Sequence, residues 1–198
     1  MERGDIKNKS LFESKEPIPV PLDQNIFETL DVVVRNISDE EQRKHLGAVL
    51  LAVKRDAFQY TNTLLDELIR NPKESSPPIS LKKEVGADPK NKFYHPKDIY
   101  FSFSLLRTNL KMAGFKPLWG DELTVSADPI KAYATLYALK QAILYQKSIQ
   151  AKEQPSQALQ KAQLVDVVAP DYIENNILKK FLALPPELRD NVLRLGKS

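Results

Sequence analysis

The chain has 198 residues, of which 42% are hydrophobic and 28% are charged, and its formal net charge is +3. This composition is typical of a globular protein rather than a disordered one, and the small net charge does not by itself indicate a nucleic-acid binder. The absence of cysteine excludes disulfides, thiolate metal sites and cysteine nucleophiles. No apolar run is long enough to span a membrane and no secretory signal precedes the first helix, so we expect a cytoplasmic protein.

Residues 1–22 are polar and then proline-rich, which predicts an extended arm. The first helix is predicted to begin at an N-cap, Asp23, and to bury Ile26, Leu30, Val33 and Ile37. Ser38 and Glu41 then form a capping box, the signature of a helix start. Behind it, apolar residues at alternating three- and four-residue spacing run from Leu46 to Leu68, which predicts one long bundle helix that ends near Arg70, before Asn71-Pro72.

Residues 71–95 are rich in proline, serine and lysine, which predicts a long loop or linker. This segment divides the chain into an N-terminal helical pair, 23–70, and a C-terminal helical group, 96–198. Because nothing in the composition prevents the two groups from sharing one core, 23–198 as a single domain remains an alternative.

The C-terminal group is predicted to begin with a helix from Pro96 to Gly114. Its buried stripe is Ile99, Phe103, Leu106, Leu110 and Ala113, and a second face carries Tyr100, Ser104, Arg107 and Lys111. The aromatic residues of 99–103 leave a strand as an alternative for that short segment, although the helical spacing continues beyond it.

The remaining elements are also predicted to be helices. Asp128-Pro129 is an N-cap followed by proline at the first helical position, which predicts a helix from there to about Lys152. Two shorter helices are predicted at 156–168 and 171–183. A last one starts at Pro185-Pro186, directs Leu188, Val192 and Leu195 inward and ends at Gly196. The fold class is therefore all-α, a helical bundle with one long antiparallel-packed helix and a long Pro/Lys-rich inter-helix loop.

The sequence carries no recognisable catalytic or metal-binding pattern. The six glycines are scattered and form no phosphate-binding loop or dinucleotide fingerprint. The two histidines, His45 and His95, lie outside any metal-ligand spacing. The adjacent acidic pairs Asp66-Glu67 and Asp121-Glu122 point in different directions on a helix or loop, so they do not converge for acid–base catalysis. We therefore expect a protein that is not an enzyme and has neither cofactor nor metal.

Positive charge is concentrated in the second half of the chain. No acidic residue occurs from Ile99 to Gly120 or from Pro129 to Lys152. Lys90 to Gly120 also contains seven of the chain's 16 aromatic residues. Cations interleaved with aromatic rings are typical of proteins that bind single-stranded nucleic acid, because the cations neutralise phosphates and the rings stack on bases. An ordinary solvated basic face, with Phe103, Phe115 and Trp119 in the core, is the alternative. The candidate nucleic-acid-binding residues are Lys90, Lys92, Lys97, Tyr100, Arg107, Lys111, Lys116, Lys140 and Lys147.

A small, all-helical, mildly basic and non-catalytic chain with a long inter-helix loop resembles, in general character, the small subunit of CRISPR–Cas effector complexes. The resemblance implies an accessory subunit in an antiviral nucleoprotein assembly, which lies beside nucleic-acid strands and contacts their backbone. The sequence thus favours sequence-independent binding to phosphates of single-stranded RNA or DNA, together with contacts to other protein subunits. A protein–protein scaffold or adaptor with no nucleic-acid role is the alternative function.

Overall fold

The structure is a computed structural model that describes residues 16–71, 99–119 and 123–194, without the side chains of Tyr100 and of 123–128. Helix makes up 74% of it, and the fold is an all-α bundle with a small two-stranded sheet. In chain order the elements are β1 (Ile18–Val20), α1 (Ile26–Arg35), α2 (Glu40–Arg70), α3 (Ile99–Met112), β2 (Phe115–Pro117), α4 (Leu123–Gln150), α5 (Pro155–Lys161), α6 (Pro170–Tyr172), a π-helical segment (Ile173–Leu178), α7 (Lys179–Ala183) and α8 (Pro186–Leu193). Within the described ranges, no helix is both long and apolar enough to cross a bilayer.

Helix α2 is the long helix predicted from the sequence, and it ends at Arg70 as expected. The predicted capping box is wrong in detail: the N-cap is Asp39, whose Oδ1 accepts a hydrogen bond from the backbone amide of Gln42 over 3.0 Å. A carboxylate at this position also stabilises the helix, because its negative charge lies at the positive end of the helix dipole. Asp23 likewise does not cap α1. Its carboxylate instead accepts the amide of Asn25 in the preceding turn, and Asn25 is the N-cap.

Helix α2 lies at the centre of the bundle and contributes to two apolar clusters. It runs antiparallel to α1, because Asp31 pairs with Lys54 while Val34 lies beside Gly47. The first cluster joins the N-terminal half of α2 to β1, α1, α3 and the start of the described part of α4, and the second joins its C-terminal half to the rest of α4 and to the helices from α5 to α8. Tyr60 and Tyr137 pack against both clusters.

Helix α3 resolves the strand alternative at 99–103 in favour of a helix. Of the predicted stripe, Ile99, Phe103, Leu106 and Leu110 are buried completely, while Ala113 follows the last residue of the helix and is half-buried. The chain leaves α3 through Gly114, whose φ of +92° is a backbone conformation that side-chain-bearing residues rarely adopt. It then forms β2, which pairs in parallel with β1, Ile18 opposite Phe115. Part of the predicted arm is thus a strand.

Two predicted helix boundaries in the C-terminal half are wrong. Helix α4 begins at Leu123, so Pro129 lies inside it. The helix predicted at 156–168 ends at Lys161, because Gln163 and Asp166 adopt left-handed backbone conformations, with φ of 56° and 66°. Helices α6 and α7 join through the π-helical segment into one helical stretch over 170–183, close to the predicted 171–183. Leu188 and Val192 of α8 are buried as predicted, while Leu195 and Gly196 lie outside the described residues.

Candidate nucleic-acid interface

The structure places the candidate nucleic-acid-binding residues in three situations. Four of them have exposed side chains, Lys111, Lys116, Lys140 and Lys147. Arg107 is half-buried. Tyr100 belongs to α3, but its side chain is outside the described part of the structure, as are the whole residues Lys90, Lys92 and Lys97.

Arg107 has a structural contact that the sequence pattern did not indicate. Its Nε donates a hydrogen bond to the backbone carbonyl of Trp119 over 2.7 Å, and the Trp119 indole Nε1 donates to the carbonyl of Phe103 over 3.2 Å. Arg107, which the sequence places on the second face of α3 with Lys111, therefore has a half-buried side chain that makes a structural hydrogen bond. The rings of Phe103 and Trp119 are buried and meet edge to face, so these two aromatics belong to the core and do not stack on bases.

The exposed candidates lie on different sides of the molecule. Helix α3 contacts α2 through hydrogen bonds of Asn109 to His45 and of Ser102 to Asp56. On α2, His45 is two residues from Gly47 and Asp56 is two residues from Lys54. Two residues correspond to a rotation of about 200° around the helix axis, so the members of each pair face nearly opposite directions. Gly47 and Lys54 line a groove on that opposite side. Lys111 of α3 is therefore remote from this groove, whereas Lys140 of α4 lines it.

We call this surface the basic groove; it lies between α1, α2, α4 and the segment 161–166. It consists of two adjoining pockets that share three lining residues, a larger one of about 530 Å³, which is its wide end, and a smaller one of about 250 Å³, which is its narrow end. The wide end is lined by Val34, Arg35, Arg43, Gly47, Leu50, Leu51, Val165 and Asp166, the narrow end by Gln24, Asn25, Phe27, Glu28, Tyr137, Lys140, Gln141, Leu144 and Lys161, and both ends by Asp31, Lys54 and Gln163. Five cations and three acids thus line one concave surface.

The floor of the basic groove is a partly buried ion pair. Lys54 Nζ lies 2.7 Å from Asp31 Oδ1, and the two side chains are only 11% and 24% exposed. Beside it, the Tyr137 ring stacks on Phe27 with centroids 4.1 Å apart. Burial, and to a smaller extent the Asp31 carboxylate, raise the pKa of Tyr137 far above its ordinary value, so this hydroxyl stays protonated. Its buried oxygen has no hydrogen-bond partner among the described residues.

Replacing Tyr137 with phenylalanine is expected to stabilise the protein by about 1 kcal/mol, because a buried hydroxyl without a partner costs desolvation energy and returns no hydrogen bond. Tyr172→Phe is the matched control. The Tyr172 hydroxyl has a hydrogen bond with the Asn62 side chain, so its loss should cost about 1 kcal/mol. Urea unfolding measures both changes. Equal destabilisation by the two substitutions would show that the Tyr137 hydroxyl is satisfied in solution.

The segment 162–166 forms one wall of the groove and is fixed by two other helices. Gln141 Nε2 of α4 donates to the carbonyl of Ala162 over 2.6 Å, and Arg55 Nε of α2 donates to the carbonyl of Asp166 over 2.9 Å. Both left-handed residues of this segment, Gln163 and Asp166, line the groove. Such conformations cost energy and persist where surrounding contacts enforce them, which is common at functional surfaces.

The cations of the groove differ in whether their side chains already have an ion-pair or hydrogen-bond partner in the protein. Lys54 is paired with Asp31, Lys161 forms an ion pair with Glu153, and Arg43 Nη1 donates to the carbonyl of Ile37. Arg35 and Lys140 are exposed and make no ion pair or side-chain hydrogen bond within the described ranges. Lys147, seven residues beyond Lys140, continues the positive charge about 10 Å further along α4.

Sequence reasoning missed Arg35, Arg43 and Lys161. Arg35 and Lys161 occupy the last turns of α1 and α5, where a cation is usual because it stabilises the helix dipole. No local pattern joins the three residues, since they come from separate helices and the tertiary structure brings them to the groove, with α1 packed on α2 and α5 packed on α4. Conversely, Lys131, a cation of the acid-free window from Pro129 to Lys152, is buried, with 2% of its surface exposed.

No group of three or more histidine or acidic side chains in the described residues could bind a metal ion. His45 is exposed and shares a 2.7 Å hydrogen bond with Asn109. Asp66 pairs with Lys180 over 2.7 Å. Burial raises the pKa of the neighbouring Glu67, and the positive charge of Arg70 offsets only part of this rise. Because these acids have separate surroundings, they form no acid–base pair in the structure.

No protein-family model matches the chain, and comparison with curated proteins and with solved structures gives no significant match. The function must therefore be inferred from the groove itself.

Proposed function

We propose that this protein is a non-catalytic helical subunit of a nucleoprotein assembly, and that it binds the phosphate backbone of single-stranded nucleic acid in the basic groove. The observation that carries the proposal is the convergence of Arg35, Arg43, Lys140 and Lys161 around one concave surface. Cations arranged along a groove neutralise phosphates and release condensed counterions, which is the main source of sequence-independent affinity.

The character of the groove also supports backbone contacts rather than base reading. Its freest cations, Arg35 and Lys140, have exposed side chains that can follow a flexible strand. Contacts of this kind position a strand without conveying sequence information. The CRISPR–Cas small subunits, which the chain resembles in general character, are one class of subunit with such a role, and membership of that class is part of the proposal.

The proposal narrows the set of residues expected from the sequence. It retains Lys140 and Lys147 and adds Arg35, Arg43 and Lys161. It leaves out Lys111 and Lys116, which do not line the groove. Arg107 is also left out, because its Nε is bonded to the Trp119 carbonyl.

A salt titration tests the proposal. The affinity of the protein for oligo(rU) and oligo(dT), measured by fluorescence anisotropy, should fall with salt at a log–log slope of about −2 to −3, since three or four phosphates at about −0.7 each are contacted. Arg35→Ala combined with Lys140→Ala should make the slope shallower by about 1.4. Both side chains are exposed, so the fold should be retained.

The control is Lys111→Ala combined with Lys116→Ala, which removes the same number of exposed cations outside the groove. If this control changes the slope and the groove variant does not, the strand follows the α3 side that the sequence favoured. If the wild-type protein binds neither oligonucleotide at low salt, the nucleic-acid function is wrong and the scaffold function replaces it.

A further inference from the structure

Helix α3 carries a second apolar face on the side away from the core. Phe101, Leu105 and Met112 are 49%, 50% and 78% exposed. Together with Thr108 they occupy positions i, i+4, i+7 and i+11, so they form a single stripe about 16 Å long. We call these four residues the outer stripe.

The outer stripe is not needed for the packing of α3 in this chain. The helix already buries Ile99, Phe103, Leu106 and Leu110 on its opposite side, each with no exposed surface. A surface helix of a monomer normally has one apolar face and one polar face. Three large apolar side chains exposed on one face of a helix, here Phe101, Leu105 and Met112, are instead typical of a surface that another molecule covers.

The described segment that carries the outer stripe, Ile99–Trp119, is positively charged. No acidic residue occurs in Ile99–Trp119, whereas Lys111 and Lys116 are exposed. Beyond the end of α3, the backbone amide of Ile18 donates a hydrogen bond to the carbonyl of Gly114. The Ile18 side chain is 59% exposed and extends the stripe in that direction. On its other edge, Ser102 and Asn109 are engaged with α2.

We propose that the outer stripe is a docking surface for an amphipathic helix of another protein, with acidic residues flanking its apolar face. Phe101, Leu105 and Met112 at i, i+4 and i+11, with the small Thr108 at i+7, follow the spacing by which one helix packs along another. Acids on the partner would complement Lys111 and Lys116, and this complementarity favours the correct orientation over others.

The same charges disfavour two other occupants. A symmetric pair of copies would bring identical basic edges together, because an isologous interface places the same patch on both sides. An anionic membrane surface usually recruits a cluster of about four to eight cations, whereas the described segment 99–119 that carries the stripe has two exposed cations, Lys111 and Lys116.

A peptide selection tests the proposal. A phage-displayed library of random peptides of about 15 residues, long enough for roughly four helical turns, is selected on the full chain. Phe101→Ser combined with Leu105→Ser serves as the counter-selection target. We expect the enriched peptides to have apolar residues at helical spacing flanked by Asp or Glu, and to bind the double variant at least about tenfold more weakly.

The matched control is Leu182→Ser, which removes a 53% exposed leucine of α7 and should leave the affinity of the peptides unchanged. Enriched peptides that are basic or uncharged, or that bind the double variant equally well, overturn the proposal, as does a library that gives no stripe-dependent binder.

Two further measurements identify the competing occupants. Sedimentation of the chain alone would overturn the proposal in favour of a second copy if it shows a dimer that Leu105→Ser dissociates. Flotation with phosphatidylserine vesicles would do so in favour of a membrane if binding is lost in the double variant. The proposal is independent of the nucleic-acid function, because the outer stripe and the basic groove lie on different sides of α2 and their variants share no residue.

Discussion

Reversing two charges of the basic groove, Arg35→Glu with Lys140→Glu, is expected to weaken single-strand binding at least about a hundredfold at 0.15 M salt. Each substitution removes an attractive contact and places a carboxylate against phosphate, and like charges brought together in this way cost several kcal/mol, where each 1.4 kcal/mol is a factor of about ten. Fluorescence anisotropy with oligo(rU) measures the change. Both side chains are exposed, so the unfolding temperature should fall only slightly, chiefly because Glu at the end of α1 opposes the helix dipole.

The matched control is Lys111→Glu with Lys116→Glu. Both double variants lower the formal net charge by four, from +3 to −1, so any effect of overall charge is the same in each. At this salt concentration the Debye length is about 8 Å, so distant charges contribute little. Equal losses of affinity in the two variants would mean that binding reports net charge alone and that the groove has no special role.

The largest expected effect on stability comes from Asp31→Asn. This change leaves the Lys54 ammonium, whose side chain is 11% exposed, without its carboxylate. Breaking a buried pair by removing one partner typically costs about 3–5 kcal/mol, and the 24% exposure of Asp31 should reduce this to about 2–3 kcal/mol. In a chain of this size the unfolding temperature should fall by about 5–10 °C. Trp119 is the single tryptophan and is buried, so its fluorescence can follow the transition.

Adding Lys54→Met to Asp31→Asn should restore most of the lost stability, because an apolar side chain of similar volume needs no counter-charge. Glu40→Gln is the control: it breaks the exposed pair of Glu40 with Lys44, whose side chains are 67% and 75% exposed, and should cost less than about 1 kcal/mol. A fully stable Asp31→Asn protein would show that Lys54 finds water or another acceptor and that the pair does not fix α1 on α2.

The helices that were predicted well are those with a strong local signal. The apolar spacing from Leu46 to Leu68 and the glycine at position 114 describe α2 and the end of α3 because both depend on neighbouring residues alone. The boundaries that failed depend on tertiary contacts. Gln163 and Asp166 are not residues that usually end a helix with positive φ, and the bonds from Gln141 and Arg55 that fix this segment come from distant helices.

The candidate site could be predicted only in part for the same reason. Acid-free windows located Lys140 and Lys147, since net charge along a segment is visible in the sequence. The same charge pattern does not tell a buried lysine from an exposed one: Lys131 and Lys140 lie in one acid-free window, but Lys131 is buried and Lys140 is exposed. Arg35, Arg43 and Lys161 belong to different helices, and no single-sequence pattern encodes that the tertiary structure places all three along the groove.

The parallel pairing of β1 with β2 constrains how the protein can fold as it is synthesised. Ile18 pairs with Phe115, nearly a hundred residues further along the chain. At a translation rate of about 5–20 residues per second, roughly 5–20 s pass between the synthesis of β1 and the synthesis of its partner strand. Helices α1 and α2 have local signals and can form meanwhile, but Val20 can be buried against Pro117 only after α3 has emerged. The first cluster therefore closes late, and a nascent chain interrupted before β2 exposes the apolar faces of α1 and α2 to chaperones and to other chains.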